Sequence, residues 1–355
     1  MRTSGYYYLS KANPCTFSSA NRTRRGLRRA AKPPTIPGNP HAYRMGILGL
    51  PNELLLLIAE NLAVLDLLSF RSASQCLSSL LTPRFYDAIL DASPFDALKW
   101  AATYDHALLA ELAIARDARV YIRDLSGLRG TPLHLATMHN SPNVICTLIK
   151  HGAPAAKVDR YWSLLHLAAM NNCPDSIRIL VKHGAPTDKV DGYRTPLHVA
   201  ASWRSQRAVR VLLELGASMK HKDARWEAPQ RISAHLGDVD SMRAFVDAGL
   251  DFHLKDYQGR TILYNGICGG KEMVEFLLEW GGEKVVNDQD NALRTPLHSA
   301  VTKDDAEIIK LLVRHGADTE VKDNKGHTPM DLAITMGKDS AAGALLGCRG
   351  NISGR

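Results

Sequence analysis

Fourteen histidines and six cysteines are the residues of this 355-residue chain best equipped for chemistry. A histidine can pass a proton near neutral pH or bind a metal, and a cysteine can serve as nucleophile, metal ligand or disulfide partner. Spacing decides among these. Cys15, Cys76, Cys146, Cys173, Cys268 and Cys348 stand 27 or more residues apart with no CxxC pair, which argues against a zinc site or a disulfide framework and favours a reducing compartment. His134, His166, His198 and His298 each follow a Thr or Ser by three residues, where an imidazole can bridge a helix-starting hydroxyl and neighbouring backbone. His151, His183 and His315 each precede a glycine, where a helix C-terminus favours partial positive charge. The sequence contains no HExxH, GxSxG or GxxxxGK[ST], and Gly269-Gly270-Lys271 reads as a loop opening a helix. No catalytic residue, metal ligand or cofactor is expected, and the chain reads as a non-enzyme.

What the histidine spacing measures is a repeat. Thr-Pro-Leu-His is complete at Thr131–His134, Thr195–His198 and Thr295–His298, and degraded copies begin at Ser163, Ala228, Thr261 and Thr328. The successive steps are 32, 32, 33, 33, 34 and 33 residues. A unit of this length cannot bury its apolar face alone and must stack on its own copies, which predicts a solenoid. In the third unit Thr195 is placed to cap a helix and Pro196 follows at the first helical position, where a missing N–H costs nothing. Leu197, Val199 and Ala200 line a short inner helix; Val209, Val211, Leu212 and Leu213 stripe an outer one. Gly216 ends it, as Gly152, Gly184, Gly249, Gly281 and Gly316 end the others. Asp256-Tyr-Gln-Gly-Arg260 and Asp323-Asn-Lys-Gly-His327 supply turn chemistry between units.

This pattern resembles the ankyrin repeat, which implies an all-α solenoid of helix-turn-helix units joined by short hairpin loops. Six full units and a truncated last helix, Thr328 to about Leu346, are expected over 128–347, with a flexible tail at 348–355. An eroded capping repeat at 94–127 precedes them, around Asp96–Ala102 and Leu108, Leu109, Leu112 and Ile114. Ala228-Pro-Gln-Arg231 and Thr261-Ile-Leu-Tyr264 have lost tetrad residues, so these units are expected to be the weak middle of the array.

Residues 47–90 are of another kind. Leu50-Pro-Asn-Glu-Leu-Leu-Leu-Leu-Ile58 is followed by Leu62 and by Asp66-Leu-Leu-Ser-Phe70. Leu54, Ile58 and Leu62 share one helical face, while Leu55, Leu56 and Leu57 make much of the remainder apolar. About 40 residues cannot bury that set internally. The Leu-Pro-x-Glu-Leu opening and the Asp-Leu-Leu segment resemble an F-box, although Ala73–Leu77 lacks the basic residues that family carries there. The resemblance implies a three-helix module that docks a Skp-family adaptor of a cullin-based ubiquitin ligase through Leu50, Pro51, Leu54, Ile58, Leu62, Leu67 and Leu68. The alternative for 47–90 is an extra helical cap on the solenoid.

The net charge of +8 is unevenly placed. Residues 1–52 hold nine Lys and Arg and no Asp or Glu, so the rest is nearly neutral and lacks the basic footprint of a nucleic-acid binder. Segment 1–46 is expected to be a disordered basic tail. Its composition also suits a mitochondrial presequence, and Arg24–Arg29 a nuclear signal; translation from Met45 is a third option. No apolar run is long enough to span a membrane. Localisation in the cytoplasm, the nucleus or both is expected.

Solenoids bind partners on a concave face of loop tips and exposed inner-helix positions. Counting seven and eight residues from each tetrad start gives Met138, His139, Met170, Asn171, Ser202, Trp203, His235, Thr302 and Lys303. Loop tips add Tyr161, Trp162, Tyr193, Arg194, Arg225, Trp226, Tyr257 and Arg260. Aromatic and Arg side chains are the usual anchors of protein interfaces. Trp203 is the primary anchor, with Tyr193 and Arg194 beside it and Tyr161, Trp162, Met170, Trp226 and Tyr257 around them. The function read from these features is recruitment of an unidentified protein substrate to a ligase; the alternative is a plain ankyrin scaffold.

Overall fold

The computed structural model describes residues 90–91, 93–120, 131–155, 163–190, 194–223 and 227–352, with side chains as far as Cys348. The basic segment, residues 47–89 of the 47–90 module with Leu50, Pro51, Leu54, Ile58, Leu62, Leu67 and Leu68, and the loop residues Tyr161, Trp162, Tyr193 and Trp226 lie outside the described residues.

Eight helix pairs follow one another among the described residues. They are α1 (Pro94–Tyr104) with α2 (Ala107–Ala115), α3 (Pro132–Met138) with α4 (Pro142–Lys150), α5 (Leu164–Met170) with α6 (Pro174–Lys182), and α7 (Pro196–Ser202) with α8 (Gln206–Glu214). The array continues with α9 (Pro229–Leu236) and α10 (Val239–Asp247), α11 (Ile262–Gly269) and α12 (Lys271–Glu279), α13 (Pro296–Lys303) and α14 (Ala306–Arg314), and α15 (Pro329–Thr335) and α16 (Asp339–Ile352). Small residues let the helices approach closely: Ala101, Ala136, Ala168, Ala200, Ala234 and Ala300 are fully buried on the inner layer. Branched side chains such as Ile145, Ile177, Val209, Val274 and Ile309, with the unbranched Met242, fill the outer layer. One core therefore runs the length of the stack.

The tetrad works in two directions. Within a unit, the Thr195 backbone N–H donates to His198 Nδ1 at 3.2 Å and the Thr195 hydroxyl lies 2.8 Å from the same nitrogen, which closes a capping box on α7. Between units, the other ring nitrogen reaches the carbonyl just ahead of the next tetrad. His166 Nε2 lies 2.9 Å from Arg194 O, His198 Nε2 3.1 Å from Glu227 O, and His298 Nε2 3.2 Å from His327 O.

Across the middle units this second arm is made by other side chains. Arg231, standing where the histidine would be, donates through Nη2 to Arg260 O at 2.9 Å and to Leu254 O at 2.6 Å, and through Nη1 to Asn265 Oδ1 at 2.8 Å. Asp256, buried beside it, supplies the countercharge at 3.7 Å. The Tyr264 hydroxyl lies against both Asp288 O and Arg294 O, which share its one proton. The inter-unit bond survives both replacements. What is lost is local: Thr261 Oγ1 is buried without a partner, because a phenol has no Nδ1 to offer. The same middle units are also drawn close, since a Cβ on Gly237 or Gly269 would overlap the backbone of the other.

A third link crosses unit boundaries at the residue after the inner helix, where the backbone turns left-handed. Asp105 Oδ1 accepts from Asn143 N and Val144 N, Asn140 Oδ1 from Asp175 N and Ser176 N, Asn172 Oδ1 from Ala208 N, and Asp304 Oδ1 from Ala341 N, all at 2.9–3.1 Å. Each outer helix so served has its exposed N-terminal donors capped by the preceding unit. That anchoring explains the last unit. It was expected as a truncated helix to about Leu346 before a flexible 348–355, yet α16 has 14 residues and runs to Ile352, seated by Ala341, Ala344 and Leu345 in the core.

Two outcomes follow. Gly269→Ala should lower stability by about 1–3 kcal/mol through overpacking, whereas Gly343→Ala, where an added Cβ meets nothing within 4 Å, should be neutral or raise it by up to about 1; chemical denaturation of the two variants checks this. Burial holds the His198 pKa down from 6.5 to about 4, and burial lowers that of His298 as well. A histidine depressed in the folded state binds its proton more tightly when unfolded, so its stabilisation is full above about pH 6.5 and is lost as pH falls towards 4. For His198 alone that loss approaches about 3 kcal/mol. Denaturation midpoints should fall over that window and fall less in His198→Gln.

Candidate partner-binding face

The inner helices end on a row of equivalent residues, each just before the left-handed turn: Tyr104, His139, Asn171, Trp203, Leu236, Gly269, Lys303 and Met336. Trp203 is 44% exposed although its backbone is fixed on both sides. Its N–H donates to Val199 O at 3.0 Å, and the next residue, Arg204, holds a left-handed φ of 55° while its guanidinium donates to Leu236 O of the following unit. With the backbone held this way, only the two side-chain torsions of the indole are left to order on binding, which suits an interface anchor. Lys303, read from sequence as another face position, turns back instead: its Nζ donates to Ile267 O at 2.9 Å and Cys268 O at 3.0 Å, closing the end of α11.

Met170 lies half-buried against the core, and its carbonyl accepts from the Ser205 hydroxyl at 3.2 Å. Arg194 is drawn towards Asp223, a buried carboxylate 3.7 Å away that also accepts from Glu227 N at 3.1 Å. Arg194 thus faces the next loop, with 42% of its side chain still exposed. Tyr257 is 61% exposed at a loop tip. Of the sequence-selected residues, Met170 and Arg194 belong to the unit beginning at Ser163, Trp203 to that at Thr195 and Tyr257 to that at Ala228, and no hydrogen bond, ion pair or ring contact joins them to one another among the described residues.

The loops that carry Tyr257 and its neighbours share one fold. Asp256 Oδ1 accepts from Gln258 N and Arg260 N, Asp290 Oδ1 from Ala292 N and Arg294 N, and Asp323 Oδ1 from Lys325 N and His327 N, each at 2.8–2.9 Å. Adjacent tips are stitched together, Asn291 N to Gln258 O at 2.9 Å and Asn324 N to Ala292 O at 3.0 Å. One residue breaks the pattern. Gly259 and Gly326 take the left-handed place in their loops, but Leu293 takes it in the loop between them, at φ 56° and 48% exposed. A leucine there carries backbone strain of about 1–2 kcal/mol and leaves apolar area in water. Sequence reading passed over Leu293 because it weighed aromatic, Arg and inner-helix positions; aligning the two Asp-x-x-Gly loops, Asp256–Gly259 and Asp323–Gly326, against Asp290-Asn-Ala-Leu293 is the signal that finds it.

The remaining chemistry is quiet. Cys173 is buried, which pushes its thiol up to about 11 and leaves little thiolate at neutral pH. His151 Nε2 meets Glu111 at 2.7 Å, His315 Nδ1 meets Glu283 at 2.6 Å, and His183 Nδ1 lies 2.9 Å from Ile179 O. Among the described residues no group of three His, Cys, Asp or Glu is placed to hold a metal, and no helix is long and apolar enough to cross a membrane.

Comparison with known proteins agrees with this architecture. Two family models of ankyrin repeats match, one over residues 133–223 and the other over 277–333; these segments are ankyrin repeats. An ankyrin repeat protein of Rickettsia bellii (strain RML369-C) is 35% identical over 109 residues, 30% of this chain and 60% of its own length. Ankyrin repeat and SOCS box protein 16 of Mus musculus is 31% identical over 122 residues, 32% of this chain and 26% of its own. The matched part of the chain thus spans less than two thirds of either relative. Among solved structures, the ankyrin repeat domain of Bcl-3, a member of the IkappaB protein family, superposes with a TM-score of 0.53 at 24% identity, covering 61% of this chain and 98% of that one, a likeness of fold.

Leu293→Gly should raise stability by about 1 kcal/mol by relieving the left-handed strain. A thermal or denaturant midpoint that falls instead would show that the leucine is held by packing and not against it.

Proposed function

We propose that this chain is a non-catalytic protein-binding platform whose concave face, between the second and fourth full repeats, holds a protein partner anchored on Trp203. The observation that carries this reading is an indole 44% exposed on a backbone braced from both sides. The sequence-selected loop residues Tyr161, Trp162, Tyr193, Arg194, Trp226 and Tyr257 extend the face, and Leu293 extends it towards the fifth loop. Truncating a central aromatic anchor costs about 2–4 kcal/mol of binding, roughly 30- to 1000-fold in affinity.

We further infer that the platform serves substrate recruitment. The support is in the sequence of 47–90: Leu50, Pro51, Leu54, Ile58, Leu62, Leu67 and Leu68 make an F-box-like apolar set that needs a partner to cover it. In this reading the module docks a Skp-family adaptor and through it a cullin, and other subunits modify the bound substrate, in the cytoplasm or the nucleus. The second reading, a plain ankyrin scaffold, keeps the Trp203 face and drops the adaptor.

Affinity purification with mass spectrometry separates the two. Wild-type protein should co-purify adaptor and cullin subunits, and Leu54→Asp with Ile58→Asp should lose them while keeping partners held by Trp203. Trp203→Ala should lose those partners with an unchanged melting temperature. Wild-type protein that captures no adaptor leaves the plain scaffold; a sharp fall in melting temperature for Trp203→Ala with binding intact makes the indole a packing residue.

A further inference from the structure

The near-neutral charge of the folded region hides a polarity along the array. Residues 131–223 contain 12 Lys and Arg against 6 Asp and Glu, while residues 227–340 contain 13 against 20. The two signs meet on the outer-helix face. On the basic side, Lys182 of α6 and Arg207 and Arg210 of α8 are exposed and form no ion pair among the described residues, whereas Glu214 is held by Arg178 at 2.5 Å. A cleft of about 480 Å³ opens beside them, lined by Arg178, Arg207, Arg210, Glu214 and Asp240 among others. On the acidic side, Asp240 and Asp247 of α10 and Glu272, Glu275 and Glu279 of α12 are exposed and unpaired, while Lys271 is turned to Glu307 at 3.2 Å. Trp280, 46% exposed, adds an apolar edge at the end of α12.

We propose that this face pairs with a second copy of the chain in antiparallel register, about a two-fold axis through α10. That arrangement sets Arg207 and Arg210 of each copy against Glu272, Glu275 and Glu279 of the other, and brings α10 against its own copy, so that Arg243 meets Arg243 across the axis with Asp240 and Asp247 of both copies on either side. A basic segment of another protein would neutralise the acidic half alone; a second copy satisfies both halves at once, which an isologous contact does by symmetry. The size of the face sets the strength. Symmetry about α10 pairs α8, α10 and α12 with α12, α10 and α8 of the other copy; the three helices lie at about 10 Å spacing, and each is 9 residues or about 14 Å long. The face is therefore about 420 Å² per copy, about 840 Å² in all, in the size range of transient encounters. The dimer is consequently weak and salt-sensitive, and it leaves the concave face open.

Sedimentation equilibrium of the full chain tests this. A monomer–dimer equilibrium is expected at about 50 mM salt, with Kd rising about tenfold or more at about 500 mM, where the screening length falls to a few ångströms. Arg207→Glu with Arg210→Glu should be monomeric, as should Glu275→Arg with Glu279→Arg, each with the circular dichroism of the wild type. Mixing the two variants should restore association, because the reversed charges then face each other across both halves. The proposal is overturned by a wild type monomeric at about 100 μM in low salt, by association that strengthens with salt, by variants that fail to rescue one another, or by dimers that persist without Arg207 and Arg210, which would assign the cations to residues 1–52.

Discussion

The stack depends on one bond made repeatedly across a unit boundary: a side chain in the fourth tetrad position reaching the carbonyl ahead of the next tetrad. A hydrogen bond of this kind contributes only about 1 kcal/mol net, but leaving the buried side-chain donor unmet costs about 1–3; the carbonyls of Glu227, Arg260, Arg294 and His327 already accept from the N–H of Asp223, Asp256, Asp290 and Asp323 in their own loops. Every described boundary from His166 to His298 meets this demand, by imidazole, guanidinium or phenol. Chemistry at that position can vary because the requirement is for a donor at the right reach. Arg231 and Tyr264 satisfy it with longer side chains, and Asp256 offsets the charge that the arginine brings into the core.

Rigidity between units is what makes the concave face a surface for recognition. The Asx side chains after the inner helices, the Asp-centred loops and the Arg204 and Lys303 contacts to neighbouring helix ends all serve the boundary between units. Side chains left over from this work are therefore informative. Trp203 and Leu293 hold apolar area in water on backbone that the surroundings fix, so a partner meets them without having to order them first.

The fold was legible in the sequence because Thr, Pro and His recur at positions with one local purpose each: capping, starting and bracing a helix. The site was legible only in part. Trp203 stood out because an aromatic breaks the row of small and polar residues around it. Leu293 did not, since its meaning lies in a backbone angle that shows only when its loop is set beside Gly259 and Gly326. Likewise Arg231 and Tyr264 looked like losses from the tetrad, because a consensus records residue type whereas the stack requires a donor of sufficient length. Lys303 and Arg194 looked like free charges on a face, and the carbonyls and the carboxylate that engage them come from about 30 residues away in the chain.

Native-state hydrogen exchange along the array tests most directly whether the stack is continuous. Amides of α9 and α11, residues 229–236 and 262–269, should be as protected as those of α7 and α8 at 196–214, since the boundary bonds through Arg231 and Tyr264 are kept. Faster exchange confined to α9 and α11 would mean that those bonds do not bear the stack and that the array is divided at its middle.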